Sequence, residues 1–306
     1  MKILKSDKLA IIVKLAVSAA ILFFIFRIIG LEKAYSELAN ANIFYIFVSF
    51  AFVFLAILLK SLRWKNIAWL FKAPMSIKES LNYTYISLAF GMVTPGRLGE
   101  FIKAKYLNDC SKIGIIKSLI TVTLDKLFDV AALIGFALIG LSFFDFGIPV
   151  PPIFFMILLV LYFVFLSAFF FYPEKLVMAA KFFIPEKYKN KLNFFSEFDR
   201  YHLYSFCFSA VIWIFFSFSA FFILKSLGIS NTPLLVIIVA VPLMALSSLI
   251  PISLGGIGVR EAVAISLFLA IGMAVEKSLV FSLIYTFNGF IVPAIIGTFL
   301  YLKLKR

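Results

Sequence analysis

The sequence predicts an all-helical polytopic membrane protein with about six full transmembrane helices, two shorter re-entrant helical hairpins, and both termini on the cytoplasmic side. Three observations lead there. Hydrophobic residues fill 63% of the 306 positions and the mean hydropathy is +1.09, whereas soluble domains use roughly 45–50% apolar residues. Long uncharged runs recur to the last line of the sequence, so residues 1–306 read as a single membrane domain. The charged residues fall in short clusters between those runs.

A full span needs about 20 mostly apolar residues, each rising about 1.5 Å. The first candidate, Leu9 to Ile29, follows Lys2, Lys5 and Lys8 and lacks a small-residue cleavage site, so it reads as a retained span rather than a signal peptide. Ile43 to Leu59, Ile153 to Tyr172, Leu203 to Leu224 and Leu279 to Leu302 also qualify or nearly do. A sixth, Leu127 to Phe144, follows a polar start at Asp125, Lys126 and Asp129. Leu81 to Val93 and Ala262 to Ala274 are too short to cross, and Leu234 to Leu254 is broken by Pro242 and Pro251. Short pieces of this kind predict hairpins that enter and leave on one side. The stretch 173–202 mixes Lys and Glu with phenylalanines and reads equally well as an amphipathic helix in the headgroup layer or as a plain cytoplasmic connector.

Lysine and arginine set the orientation, because cytoplasmic loops carry the excess. With cytoplasmic termini and two re-entrant regions, 22 basic residues fall inside and four outside. The 81–110 region then dips in from the cytoplasm and the 233–274 region from the outer face. Two facing interruptions fit an inverted repeat whose broken helices meet near the midplane. The formal charge of +14 is explained by membrane flanks, and no basic aromatic-rich domain points to nucleic acid. Cys110, Cys207 and the single His202 indicate neither a disulfide nor a metal site, and no cofactor is expected.

The interruptions carry the chemistry. In "TPGRLGE", Pro95 removes a donor and pushes Thr94 out of helical geometry, while Gly96 permits a tight turn, so a helix ending near Val93 can restart near Leu98. Unpaired first-turn N–H groups beside Arg97 would make an anion site, and Glu100 either caps that turn or pairs with Arg97. In "SLGGIGVRE", Gly255, Gly256 and Gly258 free the backbone ahead of Arg260 and Glu261. A solvated surface pair is as good a reading for Arg97 and Glu100, but for Arg260 and Glu261 it is weaker. A charge deep in the bilayer costs roughly 2.5–3.5 kcal/mol, so such residues usually line a cavity. Asp125 and Asp129, four apart, share a helix face that suits a proton or cation, although acids at a helix start are favoured in any case. No nucleophile elbow, phosphate-binding loop or zinc-protease motif occurs, and no enzyme is expected.

The segments "TPGRLGEFIKAKYL", "TLDKLFDVAAL" and "PISLGGIGVREAVAI" resemble, in order and spacing, the three marker segments of the lysylphosphatidylglycerol synthase transmembrane-domain family of flippase-like membrane proteins. The resemblance implies a functional core of Pro95, Arg97, Gly99 and Glu100, then Asp129, then Gly256, Gly258, Arg260 and Glu261. Asp125 and Lys126 stand where the family often has Glu-Arg, which keeps the charge signs but weakens any two-pronged arginine contact. It implies movement of an anionic phospholipid or a polyprenyl-phosphate lipid between leaflets of the cell membrane. The family's aminoacyl transferase is a separate soluble domain. Two alternatives stand beside the translocase: a non-transporting subunit that docks a lipid-modifying or glycosyl-transferring enzyme, and a small-ion transporter using Asp125 and Asp129. Homo-oligomerisation is left open.

Overall fold

A computed structural model describes residues 15–144 except 22, 26 and 28, residues 150–172, and residues 200–304 except 254. The basic flank at Lys2, Lys5 and Lys8, the first residues of the first expected span, and positions 173–199 of the expected connector lie outside the described residues.

Every described element is a helix: α1 (Leu15–Ile25), α2 (Leu31–Ala39), α3 (Ile43–Leu70), α4 (Ile77–Met92), a tight turn of 3-10 type (Pro95–Phe101), α5 (Ile102–Ser111), α6 (Ile115–Phe143), α7 (Pro152–Phe171), α8 (Arg200–Ser226), α9 (Leu234–Ser247), α10 (Val259–Ala270), α11 (Val275–Thr286) and α12 (Val292–Leu304). A π-type turn, Phe287–Ile291, joins α11 to α12 so that Val275–Leu304 is one continuous 30-residue rod. Five helices are long and apolar enough to cross a membrane: α3, α6, α7, α8 and the α11–α12 rod. They coincide with five of the six expected spans, and the sixth is described only from Leu15 onward.

Local chemistry fixes where several of these helices begin. Asn42 caps α3 by accepting from the Phe44 amide at 3.0 Å, and Ser76 and Glu79 form a reciprocal capping box at the start of α4. The outward face of α7 is almost wholly apolar and exposed, from Ile153 and Phe154 to Phe165, with Leu166 and Phe170 buried. Such a surface suits hydrocarbon. α3 lies along α8, where Phe52 stacks on Phe218 and Phe222 at 5.4 and 5.3 Å and the Ser49 and Ser219 hydroxyls meet at 2.9 Å. The largest core joins α8, α9, α10 and α11 through Leu224, Val241, Phe268 and Phe281.

Four expectations change. α6 starts at Ile115, so Asp125, Lys126 and Asp129 sit mid-helix rather than at its start, and α3 continues past Leu59 through Lys60 and Arg63 to Leu70. The sequence reading ended both spans at charges because an unpaired charge is expensive in a membrane; here opposite charges on α3 and α6 face and neutralise each other. α9 runs through Pro242 without breaking and ends at Ser247; proline costs one helical hydrogen bond, a loss that neighbouring helices make tolerable in a membrane. The helix after the first interruption begins at Ile102, not near Leu98, because the Pro95–Phe101 turn is interposed.

Candidate functional site

The two interruptions meet. A side chain added at Gly255 would lie 2.8 Å from the Met92 carbonyl oxygen, and one at Gly96 would lie 3.6 Å from that of Leu249. In the first interruption Gly96 and Arg97 both take left-handed backbone angles, with φ of 56° and 58°. For a non-glycine residue this is strained. Thr94 holds the turn together: its hydroxyl donates to Phe90 O at 2.8 Å and accepts from the Gly99 amide at 2.6 Å. Gly99 is required here because a Cβ would stand 2.2 Å from that same Phe90 oxygen.

In the second interruption Gly255, Gly256 and Gly258 have φ of 59°, 81° and 89°, and α10 starts at Val259, as the glycine spacing predicts. Glu261 caps that start, accepting from the Gly258 amide at 2.6 Å and from the Thr286 hydroxyl at 2.5 Å. Its neighbour Arg260 is fully buried. The Arg260 Nη2 reaches Gly255 O at 3.3 Å, Nε lies 3.9 Å from Glu261 Oε1, beyond hydrogen-bond length, and Nη1 has no partner.

Arg97 and Arg260 converge on one aromatic ring. The Phe290 centroid is 5.2 Å from the Arg97 guanidinium carbon and 3.7 Å from that of Arg260. Phe290 belongs to the π-type turn, whose extra residue shifts the side chains that follow it, and Pro293 downstream lacks the amide that would restore the regular ladder. Arg97 also pairs with Glu100 at 2.6 Å, and the buried Glu100 carboxylate takes a second ion pair from Lys126.

Beside Arg97 lies a small cavity of about 40 Å³ bounded by α3, α4, the 3-10 turn, α6, α8, α9, α11 and the π-type turn. Lys60, Arg97, Lys126, Asp129 and Tyr285 supply its polar lining, and side chains such as Leu133, Phe216 and Leu249 its apolar walls. The Tyr285 hydroxyl is buried without a hydrogen-bond partner. A smaller adjoining space, lined by Leu88, Met92, Arg97, Gly255 and Phe290, connects the cavity walls to both interruptions.

On the α3–α6 side a dense ion-pair network sits against this cavity. Arg63 donates to Asp125 Oδ1 through Nε at 2.8 Å and Nη2 at 2.6 Å, and through Nη1 to Asp129 Oδ1 at 2.6 Å and the Ser209 hydroxyl at 2.5 Å. Lys103 pairs with the other oxygen of Asp125 and Lys60 with the other oxygen of Asp129. Lys103 also lies over the Trp64 ring at 4.7 Å. Asp129 touches both the network and the cavity, whereas Asp125 is wholly enclosed by its partners and does not line the cavity.

The structure thus brings Thr94, Gly96, Arg97, Gly99 and Glu100 together with Gly255, Gly256, Gly258, Arg260, Glu261 and Asp129, and it adds Lys60, Arg63, Lys103 and Lys126. Lys60, Arg63, Arg97 and Lys103 are among the 22 basic residues that the charge pattern assigns to the inside. Lys60, Arg63 and Lys103 are buried, and the Arg97 side chain is only 15% exposed. A signal was present in the sequence: Lys60 and Arg63 are three apart and Asp125 and Asp129 four apart, so each pair shares a helix face. Two apolar helices with faces of opposite charge are natural partners.

Comparison with known proteins gives the family. UPF0104 membrane protein PH1989 of Pyrococcus horikoshii is 26% identical over 318 aligned positions, which take in 90% of this chain and 92% of that protein. The chain also matches the family described as the lysylphosphatidylglycerol synthase TM region over residues 11–297, which include both interruptions and the ion-pair network. It belongs to that family, as a multi-pass membrane protein.

Proposed function

We propose that the protein is a lipid translocase that passes an anionic lipid headgroup between leaflets, with Arg97 and Arg260 holding the headgroup phosphate where the two interruptions meet. One observation carries this reading: two arginines from segments 160 or so residues apart in sequence share one aromatic ring beside a largely apolar cavity. Guanidinium groups offer several donors to a phosphate. Leaving the Phe290 face for a phosphate would give Arg260 partners for the donors it now lacks.

The apolar walls beside the charged lining suit an amphipathic substrate, and the broken helices are the elements that rock in carriers with alternating access. In this reading the 81–110 and 233–274 regions are re-entrant hairpins of an inverted repeat, the termini are cytoplasmic, and the host is the cell membrane. Transport needs no enzymatic step from this chain. The ion-transport alternative is disfavoured because Asp125 and Asp129 are already occupied by Arg63, Lys60 and Lys103.

The test is leaflet exchange of labelled anionic lipids in reconstituted vesicles. Wild-type protein should accelerate exchange; Arg97→Ala should lose most of that acceleration and Arg97→Lys should keep part, because the charge survives but its forked geometry does not. Equal rates in wild type and Arg97→Ala, at equal amounts of folded protein, would remove the translocase reading.

A further inference from the structure

Among the described residues, six basic side chains and four carboxylates gather around the two interruptions. The cations are Lys60, Arg63, Arg97, Lys103, Lys126 and Arg260; the carboxylates are Glu100, Asp125, Asp129 and Glu261. Every carboxylate is already engaged. Asp125 and Asp129 share Arg63 and take one lysine each, Glu100 takes Arg97 and Lys126, and Glu261 caps α10. Two positive charges therefore remain without a counterpart. The excess is one charge in the Arg63 network and one around Glu100, and both clusters reach the cavity, through Lys60 and Asp129 in the first and through Arg97 and Lys126 in the second.

Excess like charge away from water is costly unless an anion enters. The charge of that anion is what the imbalance specifies. A phosphodiester headgroup carries one negative charge and would answer half of it. A phosphate monoester carries about −1.5 to −2 near neutral pH and exposes three acceptor oxygens, which suits Arg97, Arg260 and a cavity lysine together. We infer that the cavity selects a lipid with a phosphomonoester headgroup, a dianion on an apolar tail, over phosphodiester lipids; this rests on the anionic-lipid reading of the same site. The Tyr285 hydroxyl, buried and without a partner beside these cations, is a further donor for the third oxygen.

The experiment is binding to the purified full chain in neutral detergent, read as thermal stabilisation titrated against added lipid, since a ligand stabilises the state it binds. Dioleoyl phosphatidic acid, phosphatidylglycerol and phosphatidylcholine are compared at equal mole fraction, with glycerol 3-phosphate as the tail-free control. Phosphatidic acid is expected to bind at least ~10-fold more tightly than phosphatidylglycerol, a difference of about 1.4 kcal/mol, with no stabilisation from glycerol 3-phosphate at the same concentration. Equal binding of phosphatidic acid and phosphatidylglycerol, both above phosphatidylcholine, would overturn the dianion inference and leave the anionic-lipid reading standing. No preference over phosphatidylcholine would overturn both, and binding of glycerol 3-phosphate as tight as that of phosphatidic acid would replace the lipid by a soluble phosphate ester.

Lys126→Gln lowers the positive excess by one charge while leaving Glu100 its Arg97, and should bring the preference to about parity; an unchanged preference in the folded variant counts against the inference. An independent check needs no variant. The monoester takes up its second proton with a pKa of about 6, so lowering the pH from about 7.5 to about 5.5 should cut the preference for phosphatidic acid to about a third, and a preference that ignores pH would sink it.

Discussion

The Arg63 network and the Arg260 site are both buried clusters of charge, yet they are finished to different degrees. Around Arg63 four of the guanidinium's contacts are with carboxylate or hydroxyl oxygens, at 2.5 to 2.8 Å, and a fifth is with the Asp125 carbonyl at 3.0 Å. Around Arg260 there is one hydrogen bond at 3.3 Å, to a backbone carbonyl, and a carboxylate left at 3.9 Å. Both arginines are wholly buried. A closed network holds helices together, and an open one retains donors for something else. That contrast, rather than burial, distinguishes Arg63 from Arg260, the arginine for which we propose binding.

The largest effect should come from breaking the closed side. In Arg63→Met the carboxylates of Asp125 and Asp129 keep only a lysine each, and removing one partner of a buried ion network typically costs about 3–5 kcal/mol. Little folded protein should survive extraction, as measured by size-exclusion chromatography. A variant with wild-type melting temperature would show that the network is not what holds α3, α5 and α6 together.

A smaller loss is expected in the wall between the two regions. Gly99→Ala drives a methyl into the Phe90 carbonyl, a backbone atom that can yield only if the turn moves. Overpacking of this kind costs about 1–3 kcal/mol, and because the displaced turn carries Arg97 and Glu100, lipid exchange should fall further than stability does. Equal, proportional losses in melting temperature and exchange rate would mean that the turn merely supports the fold.

The smallest effect on stability, and the sharpest on function, should follow Arg260→Met. Its side chain fills similar space, and the change removes unpaired buried donors rather than a satisfied network. The melting temperature should stay near that of wild type or rise, while stabilisation by added anionic lipid should disappear. If the variant instead unfolds like Arg63→Met, the two regions do the same job and the comparison fails.

Much of the site was legible in advance. Pro95 and Gly96 in one segment, and three glycines ahead of Arg260 and Glu261 in the other, mark breaks whatever their surroundings, because proline lacks a donor and glycine alone tolerates positive φ freely. That Lys60, Arg63 and Lys103 are buried was not legible, for the opposite reason. A lysine or arginine at the end of an apolar run looks like a membrane flank, and only a partner elsewhere in the chain shows it to be buried. Phe290 escaped notice because aromatic residues are everywhere in this chain, and its role depends on a turn whose extra residue points it at both arginines.

Sequence by itself therefore determined the membrane setting, the helices and the two places where the backbone must depart from them, since apolar run length, proline and glycine act locally. Tertiary structure alone decided which charges would be neutralised and which left open. Asp125 and Asp129 acquire their partners from α3 and α5, and Arg97 meets Arg260 across about half the length of the chain. Coulombic pairing depends on distance in space, and sequence separation carries almost no information about it.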